Sequence, residues 1–168
     1  APGHTAGPIA PIIDTINSLI RSTSEMARGI FARPATEQGL PAALQHLAQS
    51  AALRSGVSID CRLDVPRDYA LAPSRADHLY HLAQEAITNA LRHARPHHIL
   101  LEFVLDAGAL RLTIRDDGRG IPAERSGPGL GLRIMQFRAN AAGGELRIEA
   151  DKPRGTRVEY RAVLPRGT

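Results

Sequence analysis

A chain of 168 residues with 43% hydrophobic and 4% aromatic content has room for one ordinary domain, or one domain with a helical appendage, whose core must be built from Leu, Ile, Val and Ala. The net charge of +4 comes almost wholly from scattered arginines, with Lys152 the one lysine and no basic run interleaved with aromatics, which argues against direct nucleic-acid binding. The single cysteine, Cys61, excludes an internal disulfide framework and fits a reducing, cytoplasmic setting, while no apolar run nears the roughly 20 residues that span a bilayer.

No signal peptide is read at the start, and a first residue of Ala rather than Met suggests a piece of a longer protein. Residues 1–8 read as a disordered lead. Ile12, Ile16, Leu19, Thr23, Met26 and Ile30 then recur at alternating spacings of four and three, a heptad seam widened by Ile9, Ile13, Ile20 and Ala27. So broad an apolar face predicts a bundle or dimer helix, ending before Pro34. A second helix is predicted from Pro41 to Ser55, with Gly56 as its stop and Leu44, Leu47, Ala48, Ala51 and Ala52 as its stripe. Val57–Leu63 alternates as a strand, with Cys61 read as a core thiol. A long helix is expected from Ser74, as its cap, to Ala94, broken before Pro96.

His98–Leu105 and Ala109–Arg115 read as strands joined by the hairpin signal Asp106-Ala107-Gly108. A Gly/Pro/Ser loop is expected at 117–128 and a helix at 129–142, stopping at Gly143-Gly144. Strands at Glu145–Ala150 and Thr156–Leu164 close the chain around a Lys-Pro-Arg-Gly turn. The order β-α-β-β-α-β-β predicts an α+β two-layer sandwich, a mixed sheet covered on one face by helices.

Three polar clusters stand out against this background. Leu79, Leu82, Ala83, Ala86, Ile87, Ala90, Leu91 and Ala94 form a core stripe, which leaves Glu85 and Asn89, at i and i+4, side by side on another face. An Asn amide oxygen ligates Mg²⁺ without adding negative charge beside phosphates, and a carboxylate one turn earlier can serve as a base. Arg92 and His93 can donate to phosphate oxygens. The same residues also suit a solvated helix face. Asp116, at a strand end, is followed by Asp117-Gly118-Arg119-Gly120, where a carboxylate could accept from an adenine amino group and the glycines admit the base. An ordinary Asp-Gly turn has the same spelling. Gly127-Pro-Gly129-Leu130-Gly131-Leu132 opens a helix, so free N–H groups there could meet phosphate. A Walker loop would need Gly-Lys-Ser/Thr, and a Rossmann fingerprint a glycine at Leu132; neither is present.

In this order the clusters resemble the catalytic ATP-binding domain of sensor histidine kinases, in the superfamily of gyrase, heat-shock chaperone, histidine kinase and mismatch-repair ATPases. Gln84–Ala94 is similar to the N box, Asp116–Gly120 to the first glycine box, Gly127–Leu132 to the second, and Gly155-Thr156 to the Gly-Thr element of the adenine pocket. The short loop and the run from Leu132 to Ala139 resemble the nitrate-sensor and desaturase-thermosensor subfamily. Ala27–Phe31 and Gly39–Leu44 resemble the end of its second dimerisation helix and the link onward.

The resemblance implies a Bergerat-type fold over 34–168, with 1–33 holding the lead and part of a dimerisation helix. It implies Mg²⁺ on Asn89, Glu85 as or beside the base, Asp116 on the adenine amino group, Arg92 and His93 near the phosphates, and Thr156 in the adenine pocket. Gly118, Gly120, Gly129, Leu130 and Gly131 would shape pocket and lid. The implied reaction moves the ATP γ-phosphoryl group to a histidine, then to an aspartate of a response regulator with helix-turn-helix output. The parent would be a homodimer, either cytoplasmic or an inner-membrane sensor, and this stretch itself makes no membrane contact. The family's acceptor motif, a Glu-Leu-His-Asp-like run on the first dimerisation helix, is not found here. Alternatives are an anti-sigma-type serine kinase of the same superfamily and a nucleotide-binding module without catalysis.

Overall fold

A computed structural model describes residues 39–66, 69–120 and 129–163. The lead, the heptad segment and the first two residues of the second glycine box lie outside the described residues. The elements are α1 (Gly39–Ser55), β1 (Ser58–Asp64), α2 (Pro73–Asn89), a π-helical turn (Ala90–Ala94), β2 (His98–Asp106), β3 (Ala109–Asp116), α3 (Leu130–Ala141), β4 (Glu145–Ala150) and β5 (Thr156–Val163). The strands form one mixed sheet in the order β1-β2-β3-β5-β4. β1 and β2 run parallel, as a crossover through α2 requires, and the other neighbours are antiparallel.

Alternation along the strands decides which face the helices cover. The register aligns Cys61, Leu101, Ile114, Val158 and Ile148 in one row and Leu63, Phe103, Leu112, Tyr160 and Leu146 in the next. Both rows pack with Leu44 and Leu47 of α1, Leu79 and Leu82 of α2, and Met135 of α3 in a single core. With few aromatics available, aliphatic side chains supply most of that buried area. Between these rows lie Arg62, Glu102, the buried Thr113, Glu159 and Arg147, and charged residues on the strands make cross-strand pairs, such as Arg62 with Glu102 and, outside these two rows, Arg157 with Glu149.

The expected two-layer α+β architecture is the observed one, with differences at element ends. α2 starts at Pro73 with Ala72 as its N-cap and no side-chain cap, so Ser74 is not the cap. Proline in the first turn supplies a preset φ and lacks only an N–H that would go unused. The helix expected to run to Ala94 turns π-helical after Asn89 and ends where Arg95 takes φ 51°. Ala107 and Gly108, at φ 48° and 78°, make the two-residue turn that a right-twisted hairpin prefers. Cys61 is half-buried on β1, and burial pushes its thiol up to about 11.

Candidate nucleotide site

A third inward-facing row, at one end of the sheet, changes character. Ile59, Ile99, Asp116, Thr156 and Ala150 lie in register there. Asp116 continues the alternation of Leu110, Leu112 and Ile114, so the period that buries those residues also buries a carboxylate. Burial raises its pKa, and hydrogen bonds from the Gly118 N–H and from the hydroxyl and N–H of Thr156 oppose that rise. The Gly118 N–H donates to Asp116 Oδ1 at 2.9 Å. Sequence position alone showed neither the burial nor this cradle.

The adjacent carboxylate has a different task. Asp117 Oδ1 accepts from the backbone N–H groups of His97 at 2.8 Å and His98 at 3.0 Å, and these bonds lower its pKa. It ties the glycine turn to the start of β2. Nothing in the Asp-Asp-Gly spelling distinguished the two roles.

Close approach explains two glycines. A Cβ on Gly118 would lie 2.4 Å from the Ala94 carbonyl oxygen, so the glycine turn can rest directly on the end of the π-helical turn. Gly155, at φ 118°, would place a Cβ 1.8 Å from the Asp116 carbonyl oxygen. The β5 entry and the glycine turn therefore meet backbone to backbone beside the buried carboxylate.

The second glycine box reaches the helix from the other side. α3 begins after Gly129, an extended N-cap residue that makes no side-chain cap bond. Its first backbone bond runs from Arg133 N–H to the Gly129 carbonyl, so the N–H groups of Leu130, Gly131 and Leu132 precede the intrahelical ladder. A Cβ on Gly131 would sit 2.6 Å from Glu85 Oε1 and 3.6 Å from Asn89 Nδ2. The start of α3 thus lies on the Glu85 and Asn89 side chains, which stand on the partly exposed side of α2. Leu130 is exposed beside them, as are Arg92 and His93 on the π-helical turn. Gly120, at φ 77°, faces the Gly155 carbonyl.

The predicted positions therefore gather at one end of the molecule in two groups. Gly118 and Thr156 hold the buried Asp116 carboxylate, with Gly120 set against Gly155 beside it. Glu85, Asn89 and Gly131 form a polar face under a helix N-terminus. Among the described residues, no group of three or more His, Cys, Asp or Glu could hold a metal ion. The Asn89 amide oxygen is a single donor, which fits a hydrated Mg²⁺ that also takes phosphate oxygens.

A family model described as histidine kinase-, DNA gyrase B- and HSP90-like ATPase matches residues 74–167, from α2 through β5 and so across every cluster above. The chain belongs to that ATPase family. Within it the chain is an ATP-binding domain of the sensor histidine kinase type. It is 32% identical over 126 residues to the nitrate/nitrite sensor protein NarX of Escherichia coli, a match covering 73% of this chain and 21% of NarX. It is 30% identical over 156 residues to the sensor histidine kinase YxjM of Bacillus subtilis, covering 91% of this chain and 38% of YxjM. The chain thus spans between about a fifth and two fifths of these curated relatives. The histidine kinase domain of the blue-light activated kinase from Erythrobacter litoralis superposes with a TM-score of 0.66 at 28% identity, covering 79% of this chain and 65% of that one. No helix of the described residues is long and apolar enough to cross a membrane.

Proposed function

We propose that this ATPase-family domain binds Mg·ATP and presents its γ-phosphoryl group to a histidine outside the chain, as the catalytic part of a two-component sensor kinase. The observation that carries the reading is that both glycine boxes are held against the candidate polar residues by close approach, the first and Gly155 around Asp116 and the start of α3 on Glu85 and Asn89.

The Asp116 carboxylate accepts the adenine amino N–H, with Thr156 holding it in place. Gly118 and Gly120 keep backbone close enough for the base to lie flat. The α3 N–H groups, shaped by Gly129, Leu130 and Gly131, donate to phosphate oxygens, and Arg92 and His93 add donors from the neighbouring turn. Asn89 would hold Mg²⁺ together with the phosphates; the ion when bound neutralises charge on the transferring group. Glu85 orients the incoming imidazole or takes its proton. Most of the catalysis in such a transfer is positioning and charge neutralisation.

Residues 34–168 form the catalytic domain in this reading, and 1–33 hold a lead and part of a dimerisation helix. The parent is a homodimeric sensor whose catalytic part faces the cytoplasm, and its phosphoryl group passes to a response regulator with helix-turn-helix output.

Calorimetry of the chain with ATP, ADP and GTP, with and without Mg²⁺, tests the reading. Adenine-selective binding that Mg²⁺ strengthens is expected, and Asn89→Ala abolishes the Mg²⁺ dependence while the protein stays folded. Equal affinity for ATP and GTP, or Mg·ATP affinity unchanged in Asn89→Ala, would overturn it.

A further inference from the structure

We infer that Arg119 is a positioning residue of this site: it clamps the π-helical turn that carries Arg92 and His93 onto the glycine turn, and so sets the phosphate end of the pocket. The inference rests on the nucleotide reading above and assigns a residue which that reading leaves without a role.

The last carbonyls of a helix have no partner within it. Here two of them are taken by one residue. The Arg119 backbone N–H donates to the Ala94 carbonyl at 2.9 Å, and Arg119 Nε donates to the His93 carbonyl. Gly118, directly before it, lets the two backbones touch, since a Cβ there would meet both the carbonyl oxygen and the Cβ of Ala94. A guanidinium at a helix C-terminus is also favoured by the helix dipole. The clamp acts where the helix is least regular. The turn from Ala90 to Ala94 is π-helical, and Arg95 leaves it through a left-handed conformation that a branched or long side chain adopts reluctantly.

Arg119 thereby links Asp116, three residues before it, to the segment that begins one residue after Asn89. The Arg119 side chain is exposed and contributes nothing to the core, so its removal leaves the fold in place. Its loss releases the π-helical turn and spares the buried carboxylate cradle. Adenine recognition and phosphate recognition therefore respond differently to the same substitution.

The test compares wild type, Arg119→Ala and Arg119→Lys by calorimetry with adenosine and with Mg·ADP, and by amide hydrogen exchange over residues 92–95. In Arg119→Ala we expect unchanged adenosine affinity, Mg·ADP affinity about tenfold weaker, as losing one charge-assisted hydrogen bond implies, and faster exchange in the turn. Arg119→Lys, which keeps a cationic donor, recovers most of the Mg·ADP affinity. Unchanged Mg·ADP affinity in Arg119→Ala overturns the inference. So does weakened affinity with unchanged exchange, because the guanidinium would then be touching the nucleotide itself. Wild type that binds neither ligand removes the nucleotide reading, and the inference with it.

Discussion

Asp116 and Asp117 are chemically identical neighbours with opposite environments. The first is buried in the core row, where desolvation raises its pKa against the hydrogen bonds of Gly118 and Thr156; the second accepts two strand N–H groups, which lower its pKa. For Asp116 the sign follows directly. A carboxyl that protonates more readily folded than unfolded adds stability below the ordinary aspartate range, and that stability is lost as pH rises through the folded-state value. Adenine binding needs the ionised form, so ATP affinity should begin to fall, on acidification, above the ordinary aspartate pKa. Titration by calorimetry between pH 7 and pH 4 checks this, and an affinity flat to pH 4 contradicts it. Asp116→Ala should abolish the preference for ATP over GTP, read in the same instrument.

Glycines at the element junctions separate folding from binding. Gly155→Ala forces a Cβ into the Asp116 carbonyl from a φ of 118°, a clash of backbone against backbone. It should lower stability by roughly 2–3 kcal/mol or more, measured by urea unfolding. Gly131→Ala meets only the tip of Glu85, a side chain that can move, and removing a helical glycine stabilises by up to about 1 kcal/mol. Its melting temperature should therefore match or exceed wild type while Mg·ATP binding weakens severalfold, because the added methyl crowds Glu85 and Asn89, the proposed Mg²⁺ ligand, beneath the α3 N-terminus. A Gly131→Ala protein that unfolds early and binds normally would reverse that assignment.

At the scale of the molecule, Tyr160 joins three layers of contact. Its ring is fully buried in the core row, its hydroxyl donates to the Ala142 carbonyl at the end of α3 at 2.8 Å, and it accepts from the Arg75 guanidinium of α2 at 3.1 Å. Tyr160→Phe leaves a buried carbonyl unpaired and should cost about 1–3 kcal/mol by urea unfolding. Thr156 lies four residues along the same strand, about 13 Å away at strand rise, so ADP affinity should be unchanged in the folded variant. A loss of affinity without a loss of stability would mean that the two ends of the sheet are coupled.

Much of this was legible in the sequence because periodicity is local. Alternation in β3 and the i, i+4 pair on α2 depend only on backbone geometry, so the strand order along the chain, the two-layer class and the placing of Glu85 beside Asn89 could be read before any contact was known. The motif order carried the family for the same reason: each turn needs particular residue types within a few positions. The end of α2 was not legible, because a π-helical turn is decided by what packs on it, here Gly118 and Arg119 from a strand end 24 residues on. The different tasks of Asp116 and Asp117 were also hidden. Pairing β3 with β5 and setting the glycine turn against β2 are long-range events, and only they decide which carboxylate loses its water and which is held by the backbone.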